Sequence, residues 1–149
     1  NLNRQAYRLD QLGRLKAEAL AENLAAAWPG AEATVHPIRL TSANAAKIFA
    51  GCSVVAECLD RPEEKQMLVE TLLKELPDCT VVAASGLAGL GDPNLIRTRR
   101  AGRRLYLVGD ETSAAAEGQG LMAPRVLVAA GHQATTVARL LLGEKPCPV

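Results

Sequence analysis

Aromatic residues are scarce in this chain: one tryptophan, two tyrosines and one phenylalanine make up 3% of its 149 residues, while 48% are hydrophobic. The core must be aliphatic, built from Ala, Val and Leu, and it is large enough for one domain. Charge of one sign is lacking as well. With 17 basic against 16 acidic residues, net +1, no global field draws the chain to nucleic acid or an anionic membrane, so neither is an expected partner. There is no charged-then-apolar leader and no apolar stretch long enough to span a bilayer, which points to a cytoplasmic protein. The four cysteines, Cys52, Cys58, Cys79 and Cys147, form no C-x-x-C pair, so reduced, buried thiols and no zinc site are expected. Nor does any G-x-G-x-x-G occur, which weighs against a conventional dinucleotide enzyme.

What is present is an alternation of short apolar runs with amphipathic stretches. Leu12, Leu15, Ala19, Leu20, Leu24 and Ala27 recur at helical spacing, predicting a helix over 13–27 that Pro29-Gly30 ends. Residues 33–38 form a strand candidate, and Thr41-Ser42 offers an N-cap for a short helix closed by Gly51. The run from Ser53 to Leu59 reads as a strand in the middle of a parallel sheet. A long helix then spans 61–76, with Leu68, Leu72 and Leu76 on one stripe, followed by a buried strand over 79–84. This order is that of a doubly wound α/β sheet. Beyond Ser85 two strand-like segments flank Ala101-Gly102, predicting an antiparallel hairpin at one sheet edge. Residues 110–120 read as a mobile loop, and 123–142 as a final helix with Val126, Ala130, Val137 and Leu141 inward. No internal repeat or domain boundary is evident, so residues 1–149 are expected to be one domain.

The chain opens on Asn1-Leu2-Asn3-Arg4-Gln5, continues with Gly13 and Lys16, then with Val54-Val55-Ala56-Glu57-Cys58-Leu59-Asp60 and Lys65, and then with Val82-Ala83-Ala84-Ser85-Gly86. Tyr106-Leu107-Val108-Gly109-Asp110 and Leu121-Met122-Ala123-Pro124-Arg125 follow. The first segment resembles the N-L-x-R-Q signature of the ThiF/MoeB/HesA family, bacterial relatives of ubiquitin-activating enzymes. The later segments look most like its ThiF branch, associated with thiamine biosynthesis. The resemblance implies a Rossmann-like, mostly parallel sheet with an antiparallel edge hairpin. It also implies ATP-dependent adenylation of the C-terminal glycine of a ubiquitin-like, ThiS-like sulfur carrier, with ATP and magnesium as cofactors and a homodimer as the assembly. In the family a glycine-rich strand-to-helix turn precedes N-L-x-R-Q. It has no counterpart here, so the chain is expected to be the C-terminal part of such an enzyme, inactive in ATP–pyrophosphate exchange alone because the backbone phosphate cradle is missing. A non-catalytic module that keeps only the carrier-binding surface is the alternative.

Adenylation requires cations to neutralise a triphosphate and a carboxylate to hold magnesium. By resemblance, Arg4 and Lys16 contact phosphates, Asn1 and Gln5 orient nearby groups, and Asp60 engages magnesium, with Asp60 and Arg4 as the catalytic pair. Each has a plainer reading. Arg4 and Lys16 suit solvated cations, although Lys16 and Arg14 fall in the first turn of a helix, where a cation is disfavoured unless an anion is near. Asp60-Arg61-Pro62-Glu63 suits an N-cap with a capping box, so a cap alone would explain Asp60, and both roles can coexist at the end of a parallel strand.

Gly86-Leu87-Ala88-Gly89-Leu90-Gly91 follows a strand, but its order is wrong for a nucleotide loop, and a tight structural turn is expected. Arg97, Arg99, Arg100, Arg103 and Arg104 crowd the hairpin, either as a charged edge that discourages aggregation or as a dock for an acidic partner. His36 and His132 form no metal motif. Cys147 is the one cysteine outside the apolar runs, with no role assigned.

Overall fold

The computed structural model describes residues 1–116 and 119–146, so Cys147 lies outside the described residues. The chain divides into two units, Asn1–Arg39 and Leu40–Val149.

In the first unit a turn closed by Arg4 N–H on Asn1 O (3.2 Å) leads through a 3-10 turn at Leu9–Gln11 into helix α1, Lys16–Ala27. The helix starts at Lys16 rather than Gly13, because Gly13 has φ +81° and breaks the helical path. A polar hub replaces a hydrophobic core. The Gln11 amide donates to Asn23 Oδ1 (2.7 Å) and Ala19 O (3.3 Å), while Asn23 donates to Ala6 O (2.8 Å). Of the apolar positions at helical spacing only Ala19 is buried, and Leu12, Leu15, Leu20 and Leu24 are exposed. The strand expected over 33–38 does not form. A tight turn from Ile38 N–H to His36 O (2.8 Å) takes part of that segment.

The second unit is a four-stranded sheet in the order β1-β2-β4-β3, from β1 (Val54–Glu57), β2 (Thr80–Ala84), β3 (Arg97–Gly102) and β4 (Leu105–Gly109). β1, β2 and β4 run parallel, and β3 pairs antiparallel with β4, so the hairpin holds a sheet edge as expected. β1 holds the other edge of this sheet, not its middle. Helix α2 (Ala45–Ile48) starts three residues after Ser42, with Asn44 at its N-cap position, so Thr41-Ser42 is not the cap. Helix α3 (Pro62–Glu75) covers one face and α4 (Ala123–Leu141) the other.

β2 shows why both faces need cover. Val81 and Ala83 pack with Val55, Leu68, Leu72 and Cys79 on the α3 side, while Val82 packs with Ile96, Tyr106, Val108 and Ala129 on the α4 side. Strand alternation thus feeds two aliphatic cores from one strand. The buried face of α4 is offset from the expected one: Arg125, Ala129, Gln133 and Thr136 point inward, and Ala130 and Leu141 outward. Thr136 satisfies its hydroxyl on His132 O (2.7 Å), the usual solution for a buried helical threonine. Of the described cysteines only Cys79 is buried; Cys52 and Cys58 are exposed free thiols, against the expectation that all are buried. Among the described residues no helix is long and apolar enough to cross a membrane.

Candidate functional site

In the first unit a cavity of about 230 Å³ is lined by Asn1, Gln5, Gln11, Gly13, Arg14 and Lys16 among others. Three of the residues singled out from the sequence, Asn1, Gln5 and Lys16, therefore share one concavity. Arg4 does not line it. Its guanidinium instead donates to Asn1 Oδ1 (2.8 Å) and Asn3 Oδ1 (3.0 Å), neutral acceptors that fix the group and leave its charge uncompensated.

The other cations nearby are spent. Arg8 pairs with Asp10 (3.1 Å) and Glu22 (2.8 Å), and Arg14 pairs with Glu22 (2.5 Å). Arg14, which precedes α1, is thereby separated from Lys16. Lys16 is the first residue of α1, exposed, with no hydrogen bond or ion pair among the described residues. Leu15, at the N-cap position, supplies no side-chain cap, so the positive end of the helix dipole carries an ammonium with no ion pair among the described residues. That arrangement is unfavourable without an anion and favourable with one.

In the second unit Asp60 is exposed between β1 and α3. The N-cap position of α3 is Arg61, and no side chain caps it, so the capping explanation for Asp60 falls. Among the described residues the carboxylate has no hydrogen bond or ion pair. Here too no group of three His, Cys, Asp or Glu side chains stands close enough to hold a metal by itself. A lone carboxylate does fit magnesium, which takes most of its oxygens from phosphates and water.

Sequence reasoning missed what holds that carboxylate in place. Glu57, three residues earlier, is 0% exposed. Its Oε1 accepts from Leu59 N–H at 2.6 Å, which ends β1 two residues before the apolar run does. Its Oε2 lies 2.7 Å from Lys65 Nζ, an ion pair not aligned as a hydrogen bond. Lys65 also donates to Leu59 O (3.0 Å). From the opposite face Gln133 Nε2 donates to Glu57 O (2.9 Å) and Val82 O (2.8 Å), pinning the end of β1 to the middle of β2. Cys58 Sγ sits 3.6 Å from Gln133 Oε1, and partial burial of the thiol, then the Glu57 charge, push its pKa up. Glu57 and Lys65 were quoted as family-like residues, and a glutamate inside an apolar run was the signal that could have singled them out.

A second buried cluster joins two loops. Arg125, 2% exposed, pairs with Asp110 (2.5 Å) and donates to Asp92 O (3.2 Å). Burial pushes the Asp110 carboxyl up, but the N–H groups of Ser113 and Thr112, the Ser113 hydroxyl and Arg125 together hold it well below the usual carboxylate range. The start of the expected mobile loop is thus fastened. The glycine segment packs against it: a Cβ on Gly86 would lie 2.2 Å from Asp110 Oδ1, and one on Gly109 1.7 Å from Ser85 O. At both positions the approach of neighbouring atoms leaves no room for a side chain.

The arginine cluster divides by role. Arg99 forms a bidentate pair with Glu111, and Arg100 bonds Gly102 O and Arg103 O. Arg104 donates to Leu73 O (2.6 Å), Leu76 O (2.8 Å) and Cys79 O (2.8 Å), closing the C-terminal end of α3. Only Arg97 and Arg103 remain unpaired among the described residues of this cluster.

The second unit, a mostly parallel sheet with helices on both faces and an exposed carboxylate just past a strand end, is a Rossmann-like α/β fold. The sequence matches the ThiF family over residues 1–148, and the chain belongs to that family. It is 27% identical over 149 residues to the adenylyltransferase and sulfurtransferase UBA4 of Saccharomyces cerevisiae, covering 96% of this chain and 33% of that protein. It is 36% identical over 69 residues to the adenylyltransferase and sulfurtransferase MOCS3 of Caenorhabditis briggsae, covering 46% of this chain and 17% of that protein. The chain thus spans a third or less of the length of these relatives. Among solved structures, E. coli tRNA N6-threonylcarbamoyladenosine dehydratase, TcdA, in complex with ATP shares the fold, with a TM-score of 0.74 and 20% identity over 97% of this chain and 73% of that one. The same protein in complex with AMP gives a TM-score of 0.75.

Proposed function

We propose that this chain carries the side-chain half of an ATP-dependent adenylation site that acts on the C-terminal glycine carboxylate of a ubiquitin-like sulfur carrier. The observation that carries the reading is an uncompensated cation on the cavity. Arg8 and Arg14 are neutralised by Asp10 and Glu22, whereas Lys16, which lines the cavity with Asn1 and Gln5, has no partner of opposite charge among the described residues, and neither have Arg4 and Asp60. Charged groups left so by their own protein suit a ligand that brings the complement, here a triphosphate with a divalent cation.

In the reaction a carrier carboxylate oxygen attacks the α-phosphorus, forming the acyl–phosphate bond. The bond from that phosphorus to the bridging oxygen breaks, and pyrophosphate leaves with the electron pair. Lys16 and the α1 N-terminus stabilise the phosphate charge, Arg4 holds a second phosphate oxygen, and Asn1 and Gln5 orient the nucleotide in the cavity. Asp60 would hold magnesium, which when bound neutralises charge on the phosphates.

A ThiS-like carrier of thiamine biosynthesis is the first candidate. It is supported by the segments Val82–Gly86, Tyr106–Asp110 and Leu121–Arg125, which resemble the ThiF branch and whose Gly86, Asp110 and Arg125 pack together. The exposed leucines of α1 suit burial against a second copy, which favours a homodimer in a cytoplasmic setting. The test is carrier-dependent pyrophosphate release by the full-length protein, with ThiS-like and other Gly-Gly-ended carriers compared. Loss of about 10²-fold or more is expected in Asp60→Asn and Arg4→Ala. Unchanged rates in both variants would overturn the reading.

A further inference from the structure

The Asp60 side chain makes no bond among the described residues, so its position is set by what fastens the chain on either side of it. Three side chains do this, Glu57 and Gln133 buried and Lys65 partly so. Glu57 takes the Leu59 N–H (2.6 Å), Lys65 takes the Leu59 carbonyl (3.0 Å), and the two close on each other at 2.7 Å. Both polar groups of the residue immediately before Asp60 are therefore held by a single buried ion pair. Gln133 fixes the remaining side by bonding Glu57 O (2.9 Å) and Val82 O (2.8 Å).

This is a costly way to build a turn. A fully buried carboxylate must be desolvated, and an apolar side chain at position 57 would continue the strand as the sequence around it invites. Stability alone does not call for an ionised pair here. A fixed exit from β1 does, because the ion pair works only when the chain leaves the strand in one direction.

We propose that Glu57 and Lys65, with Gln133 behind them, are positioning residues that hold Asp60 where it meets the magnesium–nucleotide. The proposal rests on the reading of Asp60 given above and deepens it. Neither residue touches substrate. Their effect is to convert a surface carboxylate on a turn into one with a defined place, as groups behind metal ligands commonly do.

The experiment compares Asp60→Asn, Glu57→Gln, Lys65→Met and Lys65→Arg in the full-length protein. Glu57→Gln keeps an oxygen for Leu59 N–H but loses the ion pair, whereas Lys65→Met leaves the buried Glu57 carboxylate without its partner and is the harsher change. The first readout is amide hydrogen exchange at Leu59, set against Val81 and Val108 in the cores. The second is the magnesium concentration that half-saturates carrier-dependent pyrophosphate release at saturating ATP.

In Glu57→Gln, Leu59 should exchange about tenfold faster or more with Val81 and Val108 unchanged; in Lys65→Met, Leu59 should accelerate more than Val81 and Val108 do; and in both the magnesium requirement should rise about 10–100-fold with the KM for ATP within twofold. Lys65→Arg should recover most of both. If Asp60→Asn raises the magnesium requirement and the Glu57 and Lys65 variants do not, the positioning role falls and the Asp60 reading stands. If Asp60→Asn is as active as the parent at every magnesium concentration, the underlying reading falls and takes this one with it.

Discussion

Arg125 and Asp110 meet at 2.5 Å between the first turn of α4 and the end of β4, with the arginine 2% exposed and the carboxylate side chain 9% exposed. Removing one partner strands the other in a poorly hydrated place. Arg125→Leu should therefore cost about 3–5 kcal/mol of stability, read by urea unfolding. A loss below about 1 kcal/mol would show that water reaches Asp110 freely.

The same pair sets an acid limit. Asp110 titrates well below its unfolded value, so the unfolded chain binds the proton first as pH falls. Its contribution to stability is fully present above about pH 4 and is lost as pH drops from there toward the depressed folded value. Asp110→Asn should be less stable than the parent at pH 7 and show a flatter decline below pH 4. Parallel curves for the two proteins would contradict the assignment.

Asp60→Asn should leave thermal stability within about 0.5 kcal/mol of the parent, because the carboxylate neither caps α3 nor pairs with any described cation. A clear loss of melting temperature in that variant would restore the capping role.

Lys16→Ala gives a prediction of opposite sign for stability and binding. Removing a cation from an uncapped helix start should stabilise the ligand-free protein by about 0.3–1 kcal/mol, while raising the KM for ATP tenfold or more. Scanning calorimetry without nucleotide reads the first and steady-state pyrophosphate release against ATP concentration the second, and destabilisation in the absence of nucleotide would remove the anion-site argument.

Glycine positions should separate by what surrounds them. Gly13→Ala meets no atom within 4 Å and costs only the backbone strain of φ +81°, about 1–2 kcal/mol. Gly109→Ala would place a methyl group 1.7 Å from Ser85 O, so loss of soluble folded protein is expected. Comparable yields and melting temperatures for the two variants would mean that the Ser85–Gly109 approach is not this close.

The alternation of Val-rich runs with amphipathic stretches made the strands, the hairpin and helices α3 and α4 legible, since hydrophobic period is a local property. Where a side chain reaches across the fold, the pattern failed. β1 ends at Glu57 because of a bond to Leu59, the inner face of α4 is set by the partners of Arg125 and Gln133, and the Asp60 motif looks like a cap although Arg61 occupies the cap position. The candidate site residues rest on a five-residue signature and its followers, not on periodicity. What distinguishes Lys16 from Arg14 is where Glu22 lies, and spacing alone does not report that.

Helix α3 is tethered at both ends by side chains from elsewhere: Lys65 in its first turns reaches Glu57 at the end of β1, and Arg104 from the hairpin turn takes the carbonyls of Leu73 and Leu76. Helices normally open from their ends inward, one turn at a time. With both ends bolted to the sheet, that route is closed to α3, and its central amides become exchangeable only when strands and helix come apart together. The 14-residue segment then acts as a strut whose length, about 21 Å, fixes how far the Asp60 end stands from the arginine-rich hairpin turn.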